Sequence, residues 1–155
     1  MVISNEVLLR LDQLILALET APVLSEEEAV LRHKAFFRPL FMEMLKTGKR
    51  YGELSGTLGH LVRPDVKEYL RSIDNDLLRQ IEITNESVQS WFRNGEKLAP
   101  YYPWRITVIL RKNKLFSYEK KFLAAYCRHF YGIVGGRYES LSERAEKLGV
   151  AQTKA

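Results

Sequence analysis

The chain has 155 residues, 46% of them apolar and 28% charged, which suits one well-buried domain, or one domain with a helical appendage, and excludes a disordered polymer. Its 24 Lys and Arg against 19 Asp and Glu leave a formal charge of +5, a balance that favours an anionic partner, and nucleic acid is the commonest such partner for a soluble basic domain. Cys127 is the only cysteine, so an intramolecular disulfide and the secreted, disulfide-stapled class are excluded.

The first residues carry no basic leader, Arg10 and Asp12 interrupt their apolar run, and nowhere do eighteen apolar residues follow one another. Neither an export signal nor a membrane span is expected, and the expected setting is a reducing cytoplasm. Within residues 1–22, Val7, Leu8, Leu11, Leu14, Ile15 and Leu18 recur at spacings of three and four, the stripe of an amphipathic helix ended by Ala21-Pro22. That stripe can pack on its own domain or pair with a second copy, and Val7, Leu11, Leu14 and Leu18 are the candidate seam of a homodimer. Ser25-Glu26-Glu27-Glu28 has the form of a capping box, so a second helix starts here and runs toward Leu45, kinked or split near Arg38 by Pro39. Leu54 and Leu58 suggest a short helix within 51–61. Pro64 then begins another, with Val66, Tyr69 and Leu70 inward and its end near Asp74.

Residues 76–95 read as two short helices joined by a corner. Leu77, Leu78 and Ile81 form the inner stripe of the first, Ile83 is the apolar residue of a tight turn, Thr84 is an N-cap, and Val88 with Trp91 forms the inner stripe of the second. The spacing resembles the helix-turn-helix of the Cro/phage-repressor-like transcriptional regulators over about residues 76–100, including Trp91 followed by Gly95 and the later Pro100. Leu78 and Glu82 stand where that family usually has a small residue and a glycine. The resemblance implies that the second helix enters the DNA major groove, with Asn85, Glu86, Gln89 and Ser90 contacting bases and Arg79, Thr84, Arg93, Lys97, Arg105, Arg111, Lys112 and Lys114 contacting phosphates.

Beyond the corner, Pro100 and Pro103 punctuate a loop with Tyr101 and Tyr102. Ile106–Leu110 suits either a strand of a small β-wing at 106–118 or a helix started by Pro103, and the helix is the preferred reading. Ser117 with Glu119 caps a long helix through Phe122, Tyr126 and Phe130, which Gly135-Gly136 ends. In the tail, Ala145, Leu148, Gly149 and Val150 fit the first half of the same motif, but the chain stops before a recognition helix, and a C-terminal helix with a frayed end is the simpler reading. Gly-x-Arg-Tyr-x-x-Leu-Ser occurs at 48–55 and at 135–142, too short a match to establish a repeat. The expected architecture is therefore all-α, a multi-helix orthogonal bundle: an N-terminal helix at 1–22, a helical domain at 23–134 with the helix-turn-helix at 76–95, and a C-terminal helix and tail at 135–155.

The positive charge lies in two blocks away from the corner, Arg32, Lys34, Arg38, Lys46, Lys49 and Arg50 in one and Arg105, Arg111, Lys112, Lys114, Lys120, Lys121, Arg128 and Arg137 in the other, while the corner itself is net negative. Two pictures follow. In one the corner reads bases while Arg105 to Lys121 grips phosphates; in the other the basic C-terminal face binds nucleic acid or an acidic protein and the corner is scaffold. His33, His60 and His129 are scattered, Cys127 reads as a small buried residue, and no phosphate loop, nucleophile elbow or metal-ligand spacing is present. Neither an enzyme nor a cofactor or metal is expected. The leading expectation is a sequence-specific double-stranded DNA-binding protein of the prokaryotic or phage transcription-regulator kind, acting as a homodimer. The alternative is a helical adaptor module whose basic face meets an acidic protein.

Overall fold

A computed structural model of the chain describes residues 2–54, 56–61, 64–97 and 99–151. The His60 side chain, Ser55 of the short recurring motif and residues 152–155 of the tail lie outside the described part. Among the described residues the chain is all-α, with seven helices and no strand: α1 Asn5–Thr20, α2 Glu26–Thr47, α3 Val66–Ile73, α4 Leu77–Asn94, α5 Tyr101–Lys112, α6 Phe116–Phe130 and α7 Gly136–Lys147. None of these helices is long and apolar enough to cross a membrane. They divide into two compact units, one holding the segments up to Val23, Asp74–Thr84 and from Ala99 on, the other Leu24–Ile73 and Asn85–Leu98.

In the first unit α6 packs against α1, α5 and α7, and α5 also packs against α7. The α1 stripe is satisfied inside the chain: Leu11, Leu14, Ile15 and Leu18 are buried, each contributing about 1.5–3 kcal/mol. This corrects the expected dimer seam, because Leu11, Leu14 and Leu18 are spent on the core and only Val7 is left half-buried. The α1 sequence has no basic residue in its last turn. Arg128 of α6 supplies one, its guanidinium donating to the carbonyls of Leu18 and Glu19 at 2.5 and 2.6 Å, while the His129 ring donates to Leu18 at 2.6 Å. A cation set against exposed carbonyls at a helix C-terminus is favourable to the helix dipole.

The second unit contains α2, two single 3₁₀ turns at Tyr51–Glu53 and Leu58–Leu61, α3, and the second half of α4. The two 3₁₀ turns replace the short helix expected within 51–61. The capping box at Ser25 forms as expected, with the hydroxyl accepting from the Glu28 N–H at 3.1 Å. Of the two expectations at Pro39, a kink or a split, the split does not occur, and α2 continues through Pro39 to its cap at Gly48. The carbonyl that Pro39 leaves without its helical donor belongs to exposed Ala35, where water can satisfy it.

The expected corner at 76–95 does not form, because Leu77–Asn94 is one uninterrupted helix. The physical reasons are in the residues. Leu77, Ile81, Thr84, Val88 and Trp91 are all buried and keep a single helical phase through Glu82 and Ile83. No Gly or Pro interrupts the run, and breaking it there would orphan backbone groups at two new helix ends with Thr84 as the sole cap. The start is fixed upstream instead, where the Asp76 carboxylate accepts from the Arg79 N–H at 3.0 Å. The helix stops at Gly95, whose φ is +62°. A Cβ at Gly95 would lie 2.3 Å from the Ala29 carbonyl oxygen of α2, so the approach of these two helices requires glycine.

The preferred helical reading of the 106–118 segment holds, with α5 starting at Tyr101 rather than Pro103 and no β-wing among the described residues. Two further expectations change. Ser117 is not the cap of α6, whose N-cap position is Leu115 with no side-chain hydrogen bond, and α6 ends at Phe130, before Gly135-Gly136, which open α7. α7 ends at Gly149 (φ +71°), where Val150 N–H reaches Ala145 O at 2.9 Å and Gly149 N–H reaches Glu146 O at 3.0 Å, the paired bonds of a Schellman cap.

Candidate nucleic-acid interface

The connection between α5 and α6 is built from a buried apolar side and an exposed cationic one. Ile106, Ile109 and Leu110 of α5 and Phe122, Leu123 and Tyr126 of α6 are buried. The three residues between the helices close α5 tightly: Lys114 N–H bonds Arg111 O at 3.0 Å, Leu115 N–H bonds Leu110 O at 2.9 Å, and the Asn113 side chain donates to Ile109 O at 2.8 Å. This is again a Schellman cap, with Lys114 in the left-handed position at φ +58°. Among the described residues Lys114 is the one non-glycine at positive φ. Glycine would adopt that backbone without the roughly 1–2 kcal/mol steric cost.

A buried ion cluster holds the connection against α7. Glu119 is 0% exposed, and its carboxylate accepts from Arg144 at 3.0 Å on each oxygen and from Arg111 at 3.3 Å. The two-pronged bond to Glu119 raises the Arg144 pKa. Arg105 is committed too, donating to the Asp74 carbonyl at 2.9 and 2.6 Å and to Asn75 at 3.2 Å. Arg137 lies 3.6 Å above the Trp104 ring and Arg128 caps α1. The second basic block therefore separates by residue type. Arg105, Arg111, Arg128 and Arg137 make contacts within the unit, whereas Lys112, Lys114, Lys120 and Lys121 are exposed. Among the described residues no ion pair engages those four lysines. Lys121 sits 5.8 Å from the Tyr118 ring.

Of the residues expected to read bases, Asn85 and Glu86 are exposed, Gln89 is half-buried, and Ser90 is buried with its hydroxyl donating to Glu96 at 2.5 Å. Ser90 is therefore a packing residue, not a base contact. Of those expected on phosphates, Thr84 is 0% and Arg105 8% exposed, which removes both, while Arg111 bonds Glu119 through Nε and keeps its side chain 39% exposed. Arg79 pairs with Glu82 at 3.2 Å on the helix surface, while Arg93, Lys97, Lys112 and Lys114 are exposed. Lys120 and Lys121, in the second turn of α6, are exposed as well. The lysine-rich spacing was the available signal.

Sequence reasoning also missed Glu96, which sits buried in the second unit. It accepts from the Tyr51 and Ser90 hydroxyls and from the Leu58 N–H at 3.2 Å, tying the end of α4 to the 3₁₀ turns. Burial first, then this bond to Glu96, raises the Tyr51 pKa. Cys127 is buried as expected, and desolvation, with Glu146 adding to it, pushes its thiol up to about 12, which keeps it from acting as a thiolate nucleophile near neutrality. Among the described residues no group of three or more His, Cys, Asp and Glu is placed to hold a metal ion. Comparison of the chain with protein-family models, with curated proteins and with solved structures gives no match.

Proposed function

We propose that this chain binds duplex DNA by gripping its phosphate backbone at the α5–α6 connection, through Lys112, Lys114, Lys120 and Lys121. The observation that carries the reading is Lys114. It occupies a helix-terminating position where glycine fits better, and it places there a flexible point charge suited to phosphate. Two neighbouring features support it. The N-terminus of α6 carries no side-chain cap, so its first N–H groups and its positive dipole end face the same turn as the lysines. Next to the turn, Arg111 and Arg144 are both bonded to the buried Glu119, which ties the start of α6 to α5 and α7 while the lysines stay exposed. In this reading α4 is scaffold and the grip is indifferent to sequence.

The test is binding to random-sequence duplex across a salt series. Each lysine neutralised should lower the slope of log K against log salt by about 0.9. A variant carrying Lys112→Gln, Lys120→Gln and Lys121→Gln should lose most of its affinity on every sequence, while Asn85→Ala with Gln89→Ala should bind as the parent does. The reverse outcome, with the lysine variant unchanged and the α4 variant losing one preferred sequence, would return the function to α4 and to the sequence-specific regulator.

A second reading rests on a different observation. The long helix α2 exposes Val30, Leu31, Phe37, Phe41, Met42 and Leu45. Such a face favours a protein-interaction module.

A further inference from the structure

Of the 22 residues of α2, only Ala29 is buried. One side of the helix is pinned to its own unit, where Gly95 meets the Ala29 carbonyl and Arg32 donates to the Phe92 carbonyl. The other side carries Val30, Phe37, Phe41 and Leu45 at helical spacing, with Leu31 and Met42 beside them and Lys34 and Arg38 among them. Leu31 and Leu45 are each 66% exposed and Phe41 47%. His33, Phe37 and Phe41 stack in a ladder, with ring centroids 5.7 and 6.0 Å apart.

Charge along the helix runs from acidic to basic overall. Glu26, Glu27 and Glu28 occupy the first turn, with Glu28 paired to Arg32, Lys34 and Arg38 lie in the middle, Glu43 precedes Lys46 of the last turn, and Lys49 and Arg50 follow at once. We propose that this face of α2 is covered by α2 of a second copy, packed antiparallel about a two-fold axis near Phe37 and Arg38. In that register Val30 lies opposite Leu45 of the partner copy, Glu26 opposite Lys49, and Glu27 within a turn of Lys46, so the acidic end of each patch meets the basic end of the other, as a two-fold interface demands. A parallel arrangement would set three acids against three acids. The six apolar side chains, at roughly 150–200 Å² each and about half exposed, offer on the order of 500 Å² per copy, which the stems of Lys34 and Arg38 extend toward the roughly 600 Å² per partner at the lower end of stable interfaces.

The experiment is sedimentation velocity on the full chain over a concentration series from low to high micromolar. The parent should shift from monomer to dimer across the series. Phe37→Asp with Phe41→Asp, two exposed positions whose helicity circular dichroism checks, should remain monomeric throughout. Charge reversal tests the direction: Glu26→Lys with Glu27→Lys, and separately Lys46→Glu with Lys49→Glu, should each weaken the dimer, and an equimolar mixture of the two should restore it as a heterodimer. A parent that stays monomeric at every concentration overturns the proposal. So does a dimer that the Phe37/Phe41 variant leaves intact, a mixture that fails to restore association, or a monomer that co-floats with phosphatidylserine/phosphatidylcholine vesicles, which would assign the face to lipid.

Discussion

Replacing Lys114 by glycine should make the protein more stable and a poorer DNA binder. Lys114 holds φ +58° at the end of α5. A left-handed backbone costs a non-glycine residue about 1–2 kcal/mol, and the freer unfolded chain of glycine returns about 0.5–1 of that. The net gain for Lys114→Gly is therefore about 0.5–1 kcal/mol, or a rise of roughly 1–4 °C in melting temperature for a chain of this length. The hydrogen bonds of the cap are backbone bonds and survive the change. Losing the ammonium removes one phosphate contact, which should lower the salt slope by about 0.9 and weaken binding roughly fivefold at 0.15 M salt. Urea unfolding and fluorescence anisotropy on a random duplex measure the two effects on the same preparations, with Lys147→Gln, an exposed lysine of α7, as the control expected to change neither. A loss of stability in Lys114→Gly would refute the backbone argument, and an unchanged salt slope would refute the phosphate contact.

Gly95→Ala should cost about 2–4 kcal/mol in urea unfolding, since it combines a left-handed residue with a Cβ set 2.3 Å from the Ala29 carbonyl oxygen; a cost within experimental error would show that α2 and α4 do not meet there. Arg144→Ala leaves the fully buried Glu119 with Arg111 alone, and the same assay should read a loss of about 3–5 kcal/mol. Unfolding should also become easier at alkaline pH. Burial holds the Tyr101 hydroxyl, which also donates to Asp74, and the Tyr138 hydroxyl up at about 12 from an ordinary value of 10.0, and the Cys127 thiol up at about 12 from 9.0. Between pH 9 and 12 the folded chain keeps protons that the unfolded chain has lost, so this contribution is full below pH 9 and declines as pH rises through 12. A melting temperature that stays level or rises over that range would contradict the assignment.

Where apolar spacing fixed a face, the sequence was legible. The stripes of α1 and α6, the capping box at Ser25 and the burial of Trp91 follow from periods of three and four and from cap chemistry. The same periodicity argues against a corner in α4. Leu77, Ile81, Thr84, Val88 and Trp91 keep one phase for fifteen residues, and a turn at Ile83 would have shifted it. The residue type of Thr84 suits a cap, yet its hydroxyl is buried in the middle of a helix. What local pattern could not supply was the pairing of distant charges. Glu119 looks like a first-turn acid of α6, and only the fold brings Arg111 and Arg144 onto it from eight and twenty-five residues away. The division of the second basic block into committed arginines and exposed lysines depends on those same long-range contacts. So does the strain at Lys114, which arises because α5 and α6 are joined by only three residues.

The most direct measurement is amide chemical-shift mapping of the ¹⁵N-labelled chain titrated with a short random-sequence duplex. Perturbations should concentrate at residues 111–121, on Lys112, Lys114 and the uncapped first turn of α6, and fade as salt is raised. Shifts gathered instead at Asn85, Glu86, Gln89 and Arg93, with 111–121 unmoved, would contradict the phosphate grip and place DNA on α4.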